Sequence, residues 1–167
     1  MRTIATVAEM QRFADAERRA GRTINQGSQG LLLRLLAYNY FLDHDRVAEA
    51  GEALREAGLI YKQSASDVPA ELLTPFVFAS AYIWHDALLA RQWWTHFEAK
   101  KPTRFNVDYW MAASALHWVE GNLKDAEESW EKANALAQQL PKAGGYEFDR
   151  HCCSLLRQAL DEVPVAA

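Results

Sequence analysis

Between its glycines and prolines the chain repeats apolar residues at helical rather than strand spacing. Thr6-Val7-Ala8-Glu9 reads as a capping box, in which the threonine oxygen and the glutamate each satisfy an orphan backbone donor. Val7, Met10, Phe13 and Ala14 then share one face, and Gly21 is placed to end this first helix. The polar stretch Asn25-Gln26-Gly27-Ser28-Gln29-Gly30 reads as a linker. It divides an N-terminal helical segment, residues 1–27, from a helical domain, residues 28–163. Only Arg2 to Ala5 shows a brief alternation of strand type.

Beyond the linker the pattern predicts pairs of helices. Leu31 to Leu42 is apolar enough to be buried on more than one side. Asp45 is placed to cap a second helix, in which Val47, Ala50, Leu54 and Ala57 recur until Gly58. Tyr61 to Asp67 reads as a loop. Pro69 and Thr74-Pro75 mark helix starts, since proline is tolerated in a first turn but costs about 3 kcal/mol in a helix interior. Phe76 to Trp84 and Asp86 to Ala99 form the next pair, closed by Lys100-Lys101-Pro102. Val107 to Glu120 and Asn122 to Leu140 form a third pair, joined at Gly121, and a last helix runs from about Tyr146 to Asp161.

The second helices of these pairs resemble one another. Gly121-Asn122-Leu123-Lys124-Asp125-Ala126, followed by Trp130 and Ala133, aligns with Asp45 to Ala50, followed by Leu54 and Ala57. Both align with His85 to Ala90, followed by Trp94 and Phe97. A small residue (Ala50, Ala90, Ala126) lets two helices approach closely, and the larger ones fill the gap to a neighbouring pair. With Trp110, Ala113, His117, Gly121, Ala126, Trp130 and Ala133 at the family's large and small positions, the chain resembles a tetratricopeptide repeat. Ser114 stands where that family usually has glycine, and Pro141 comes about three residues late to close the unit. The expectation is an all-α, TPR-like α-solenoid of about three antiparallel helical pairs, with an N-terminal helix and a terminal capping helix.

Two further resemblances concern enzymes. Met1 to Met10, continuing to Ala20-Gly21-Arg22-Thr23-Ile24, looks like the start of pantothenate synthetase (pantoate–β-alanine ligase), but the nucleotide-binding segment of that family does not follow. The helical pairs from about Leu31 are similar to the C-terminal helical tail of site-2-protease-type membrane metallopeptidases, without their His-Glu-x-x-His motif. Both imply at most a fragment or relative of an enzyme that has no activity of its own.

Composition narrows the function classes. The 167 residues are half hydrophobic and 24% charged, enough for a core and unlike a disordered polymer. A net charge of −4 argues against a general nucleic-acid binder. No apolar run approaches the roughly 18 residues of a membrane span, and the adjacent Cys152 and Cys153 suit a reducing compartment. The expected location is the cytoplasm.

Candidate chemistry is sparse. His44, His85, His96, His117 and His151 include no pair at zinc-motif spacing, and adjacent side chains in His151-Cys152-Cys153 diverge on a helix, so these thiols are expected to pack the last helix. Glu120, Asp125, Glu127, Glu128 and Glu131 read as a solvated face, with a Glu128–Lys132 pair and no convergence on a cleft. No phosphate loop, nucleophile elbow or Rossmann fingerprint occurs. No catalytic residue, metal or cofactor is expected, and the chain is not expected to be an enzyme.

All six tryptophans lie between Trp84 and Trp130. Trp94, Trp110 and Trp130 occupy repeat core positions, whereas Trp84, Trp93 and Trp118 do not fit one face and leave aromatic surface for an interface. On a TPR-like geometry the groove candidates are Asn39, Tyr82, Asp108, Met111 and Trp118. The expected function is a non-catalytic scaffold for a protein or peptide; the alternatives are a fragment or relative of an enzyme without activity of its own, and a self-associating homo-oligomer.

Overall fold

A computed structural model describes residues 27–64, 70–140 and 147–162. The capping box, the Arg2–Ala5 alternation and the pantothenate-synthetase-like stretch lie outside the described residues. Every regular element described is helical: α1 (Gly27–Asp43), α2 (Val47–Ser64), a 3-10 turn (Ala70–Leu73), α3 (Thr74–Tyr82), α4 (Ala87–Ala99), α5 (Val107–Val119), α6 (Leu123–Gln139) and α7 (Glu147–Asp161). The chain is all-α among the described residues. It divides into two compact units, residues 1–68 and 69–167.

In the first unit α1 packs along α2. Leu31, Leu35, Tyr38 and Leu42 form the buried stripe of α1, at the i, i+4, i+7, i+11 spacing of one helix face. Leu33, Leu36 and Ala37 are half-buried, so α1 is covered well beyond that stripe. Arg34 Nε donates to Glu56 at 3.2 Å, linking the two helices.

The sequence reading ends α2 too early. Gly58 is buried inside the helix, and Ile60 and Tyr61 are buried as well, so apolar burial carries the helix through to Ser64. Tertiary packing thus outweighs the modest helical penalty of glycine. Asp45 has a backbone role that its side-chain chemistry does not announce. It lies ahead of α2 with φ +57° and its N–H donates to Leu42 O, so its backbone turns the chain into the helix.

In the second unit α3 packs on α4 and on α5, α5 packs on α6 and α7, and α6 packs on α7. Phe76 and Trp93 stack with centroids 4.2 Å apart and fix α3 against α4. Asp86 caps α4 by accepting from the Leu89 N–H at 3.0 Å. Pro75 stands in the first turn of α3, as its missing N–H requires.

Three helix-to-helix turns share a construction. At Asp45 and Gly121, φ is +57° and +83°, and the next residue's N–H reaches back five positions: Arg46 to Phe41 O and Asn122 to His117 O, each at 2.8 Å. Asp45 also donates to Leu42 O and Gly121 to Trp118 O, which completes a Schellman motif at each site. His85 has φ +50° in a turn one residue wider, where Asp86 donates to Ser80 O. These are the aligned positions 45, 85 and 121. Five residues beyond each comes Ala50, Ala90 or Ala126, each with no exposed surface.

Ser114, where the resembled family has glycine, is fully buried and donates to Ala126 O at 2.8 Å. Its hydroxyl therefore joins α5 to α6 at the point where the small residues let them approach.

Candidate functional site

The five groove candidates do not share one setting. Asn39, in α1 of the first unit, is half-buried, and its Oδ1 has no hydrogen-bond partner among the described residues. Tyr82, Asp108, Met111 and Trp118 belong to the second unit. Tyr82 ends α3 and Trp118 lies in the last turn of α5; both are half-buried, with ring centroids 6.4 Å apart. The exposed ring of His85 meets Trp118 edge-on at 5.5 Å. His85, Trp118, Val119, Gly121 and Leu123 line a shallow open depression of about 360 Å³. The left-handed turns at His85 and Gly121 thus sit beside the aromatic surface, and Leu123 adds an apolar side chain that is 40% exposed.

Met111 is placed differently. It is only 6% exposed, and its Sδ lies 3.9 Å from Cys153 Sγ on α7. That side chain is covered by the terminal helix and lies off any open face.

Asp108 is one turn before Met111 on α5, and Asp149 is one turn before Cys153 on α7. The two carboxyl groups lie close enough to act on one another. Burial and the neighbouring Asp149 charge and side chain push Asp108 up to about 7, with Glu71 of the 3-10 turn adding to the effect. Asp149 is also raised, chiefly by burial, while the Asp108 side chain and the charge of Arg150 pull the other way. Burial and the two aspartates push the Cys153 thiol up to about 12, which leaves it protonated and a poor nucleophile at neutral pH.

This convergence of carboxylates was not expected, since they are more than a helical pair apart in the chain. The sequence signal was confined to helical phase: 108 and 111, like 149 and 153, fall on one helix face. The expected Glu128–Lys132 pair is not formed among the described residues. Lys132 Nζ instead lies 4.2 Å from the centre of the Trp110 ring. The acidic face of α6 contributes Glu127, which receives a two-pronged contact from Arg157 of α7 at 2.7 and 2.6 Å and is held below the usual carboxylate range. Glu120 pairs with Arg91.

The tryptophans also redistribute. Trp93, expected off the common face, is buried against Phe76. Trp94, Trp110 and Trp130 are half-buried rather than enclosed. The Trp110 and Trp130 indoles donate to Arg104 O and Cys153 O, each at 2.8 Å. The exposed ends of those rings need no binding partner to account for them.

No group of three histidine, cysteine, aspartate or glutamate side chains among the described residues is arranged to hold a metal ion. No helix among the described residues is long and apolar enough to cross a membrane. No family model, curated protein or solved structure matches the chain.

Proposed function

We propose that the chain is a non-catalytic scaffold that binds a protein or peptide through the aromatic surface at Tyr82, His85 and Trp118. The observation that carries this reading is the half-buried Tyr82–Trp118 pair, in which Trp118 lines a depression together with His85, Val119 and Leu123. Tryptophan and tyrosine bind well at such places because they bury large area at little conformational cost and keep a polar edge for a hydrogen bond.

A TPR-like arrangement supports the same reading. The packing of α3 on α5 and of α5 on α7, with α4 and α6 as their hairpin partners, is the contact order of stacked helical pairs. The equivalent turns at Asp45, His85 and Gly121 and the buried alanines after them support a repeated unit. The α7 helix then acts as the terminal cap, and repeat arrays of this kind present their first-helix layer to partners.

Immobilised wild-type protein is compared with a Tyr82→Ala, Trp118→Ala double variant for what each retains from its own cell lysate. Circular dichroism establishes that both are folded. A protein retained by wild type and lost by the variant supports the proposal. Identical retention, or none, contradicts it. Sizing at two concentrations distinguishes a second copy of the chain from a different partner.

A further inference from the structure

We propose that the loop between α4 and α5 docks on an anionic lipid bilayer, with the Phe105 ring entering the headgroup region and Lys100, Lys101 and Arg104 facing lipid phosphates. Phe105 is 85% exposed, the most of the large apolar side chains described. The loop that carries it is held in place. The Phe105 N–H donates to Thr103 Oγ1 at 3.3 Å, and the Trp110 indole donates to Arg104 O at 2.8 Å. Lys100 and Lys101 donate from their backbones to Phe97 O at 3.1 Å and Glu98 O at 3.0 Å. Lys101 takes φ +52° in the same stretch, a strained conformation for a residue with a side chain. The fold thus holds a phenylalanine ring out into water on a fixed turn.

Charge selects the kind of partner. Residues 99–107 carry three cations and no carboxylate, in a chain whose net charge is −4. Lys101 and Arg104 are exposed and form no ion pair with a carboxylate among the described residues. Arg104 Cζ lies 5.6 Å from the centre of the Tyr109 ring, and Lys132 of α6 adds its Nζ over the adjacent Trp110 ring. The carboxylates that flank the loop in sequence, Glu98 and Asp108, are half-buried, and Glu98 accepts from the Tyr109 hydroxyl at 3.1 Å. Glu131 is exposed next to Lys132 on α6, so the loop's own cations carry most of the positive field.

The setting of the ring favours a bilayer over an acidic protein. An anchor in a protein interface draws its strength from an apolar pocket and a rim that shuts out water. Phe105 stands instead among Thr103, Arg104 and Asn106, polar and cationic neighbours. At an anionic bilayer the same arrangement is favourable, because the ring enters the interface while each cation meets phosphate. One ring and three cations give reversible adsorption, with half-saturation on the order of a millimolar lipid. The loop lies at the N-terminal end of α5 and Trp118 in its last turn, so the proposal does not rest on what the aromatic surface binds.

The full chain is sedimented with vesicles of phosphatidylcholine alone and of phosphatidylcholine mixed with phosphatidylserine, at millimolar lipid. Binding is expected to the mixed vesicles only, and is expected to fall steeply as salt is added. Phe105→Ala is expected to weaken it about tenfold, and Lys101→Gln and Arg104→Gln about fivefold each. Phe105→Trp is expected to keep it, since tryptophan also suits the bilayer interface. Lys124→Gln, on exposed surface in the first turn of α6, serves as the control and is expected to bind as wild type. All five side chains are replaced at surface positions, and urea unfolding verifies that each variant is folded. No binding to the mixed vesicles overturns the proposal, as does binding that Phe105→Ala and Arg104→Gln leave unchanged. Loop-dependent binding to polyglutamate but not to vesicles would assign the loop to an acidic protein, and overturns it as well.

Discussion

Replacing Gly121 by alanine isolates a backbone effect, because a Cβ built at this position meets nothing within 4 Å. Gly121 has φ +83° and forms the Schellman turn between α5 and α6. A non-glycine residue in the left-handed region costs about 1–2 kcal/mol. Alanine recovers about 0.4–1 kcal/mol by restricting the unfolded chain. The expected net loss is about 1 kcal/mol. With a urea dependence of about 1.5–2 kcal/mol per molar, the unfolding midpoint falls by roughly 0.5 M. Lys101 offers the reverse test, having φ +52° and an exposed side chain in the loop after α4. Lys101→Gly removes the same strain and is expected to raise stability by about 0.5–1 kcal/mol. Tryptophan fluorescence during urea titration reads both variants. A neutral or stabilising Gly121→Ala would show that position 121 is not held at positive φ, and the common turn construction would lose its basis.

Other variants probe the core and the terminal helix. Trp93→Ala removes the ring stacked on Phe76 and is expected to cost about 3–5 kcal/mol, whereas Trp118→Ala on the half-exposed surface should cost far less. Equal losses in thermal or urea unfolding would contradict that assignment. Cys152 and Cys153 are both buried, and the Cys153 thiol is pushed up to about 12, so neither is expected to react with iodoacetamide at pH 7.5 in the native protein. Rapid native labelling, read by mass spectrometry, would show that α7 is not docked as described.

The helices themselves were largely legible in the sequence because short-range signals specify them. Asp86 and Pro75 mark starts, Gly121 marks a stop, and the alanines at 50, 90 and 126 mark where helices come close. The reading failed where tertiary packing overrides a local rule. Gly58 is a sound stop signal in isolation, yet the burial of Ile60 and Tyr61 carries α2 past it. Asp45 has the right chemistry for a cap, and nothing local announces that its backbone is a left-handed turn.

The candidate site was less legible. Tyr82 and Trp118 come from different helices, and their approach depends on how α3 packs on α5. Met111 and Cys153 are 42 residues apart, and no local pattern announces their contact or the approach of the aspartates beside them. Helical phase told which residues share a face; it did not tell which other helix that face would meet.

The binding proposal turns on whether position 82 touches a partner. A photo-reactive phenylalanine analogue placed at Tyr82, with another at Leu59 on exposed surface of the first unit as the control, would be irradiated in living cells. A discrete cross-linked species at position 82, absent at position 59 and lost on adding Trp118→Ala, is the result expected. No species at 82, or the same species at both positions, would mean that the aromatic surface is not where this chain is bound.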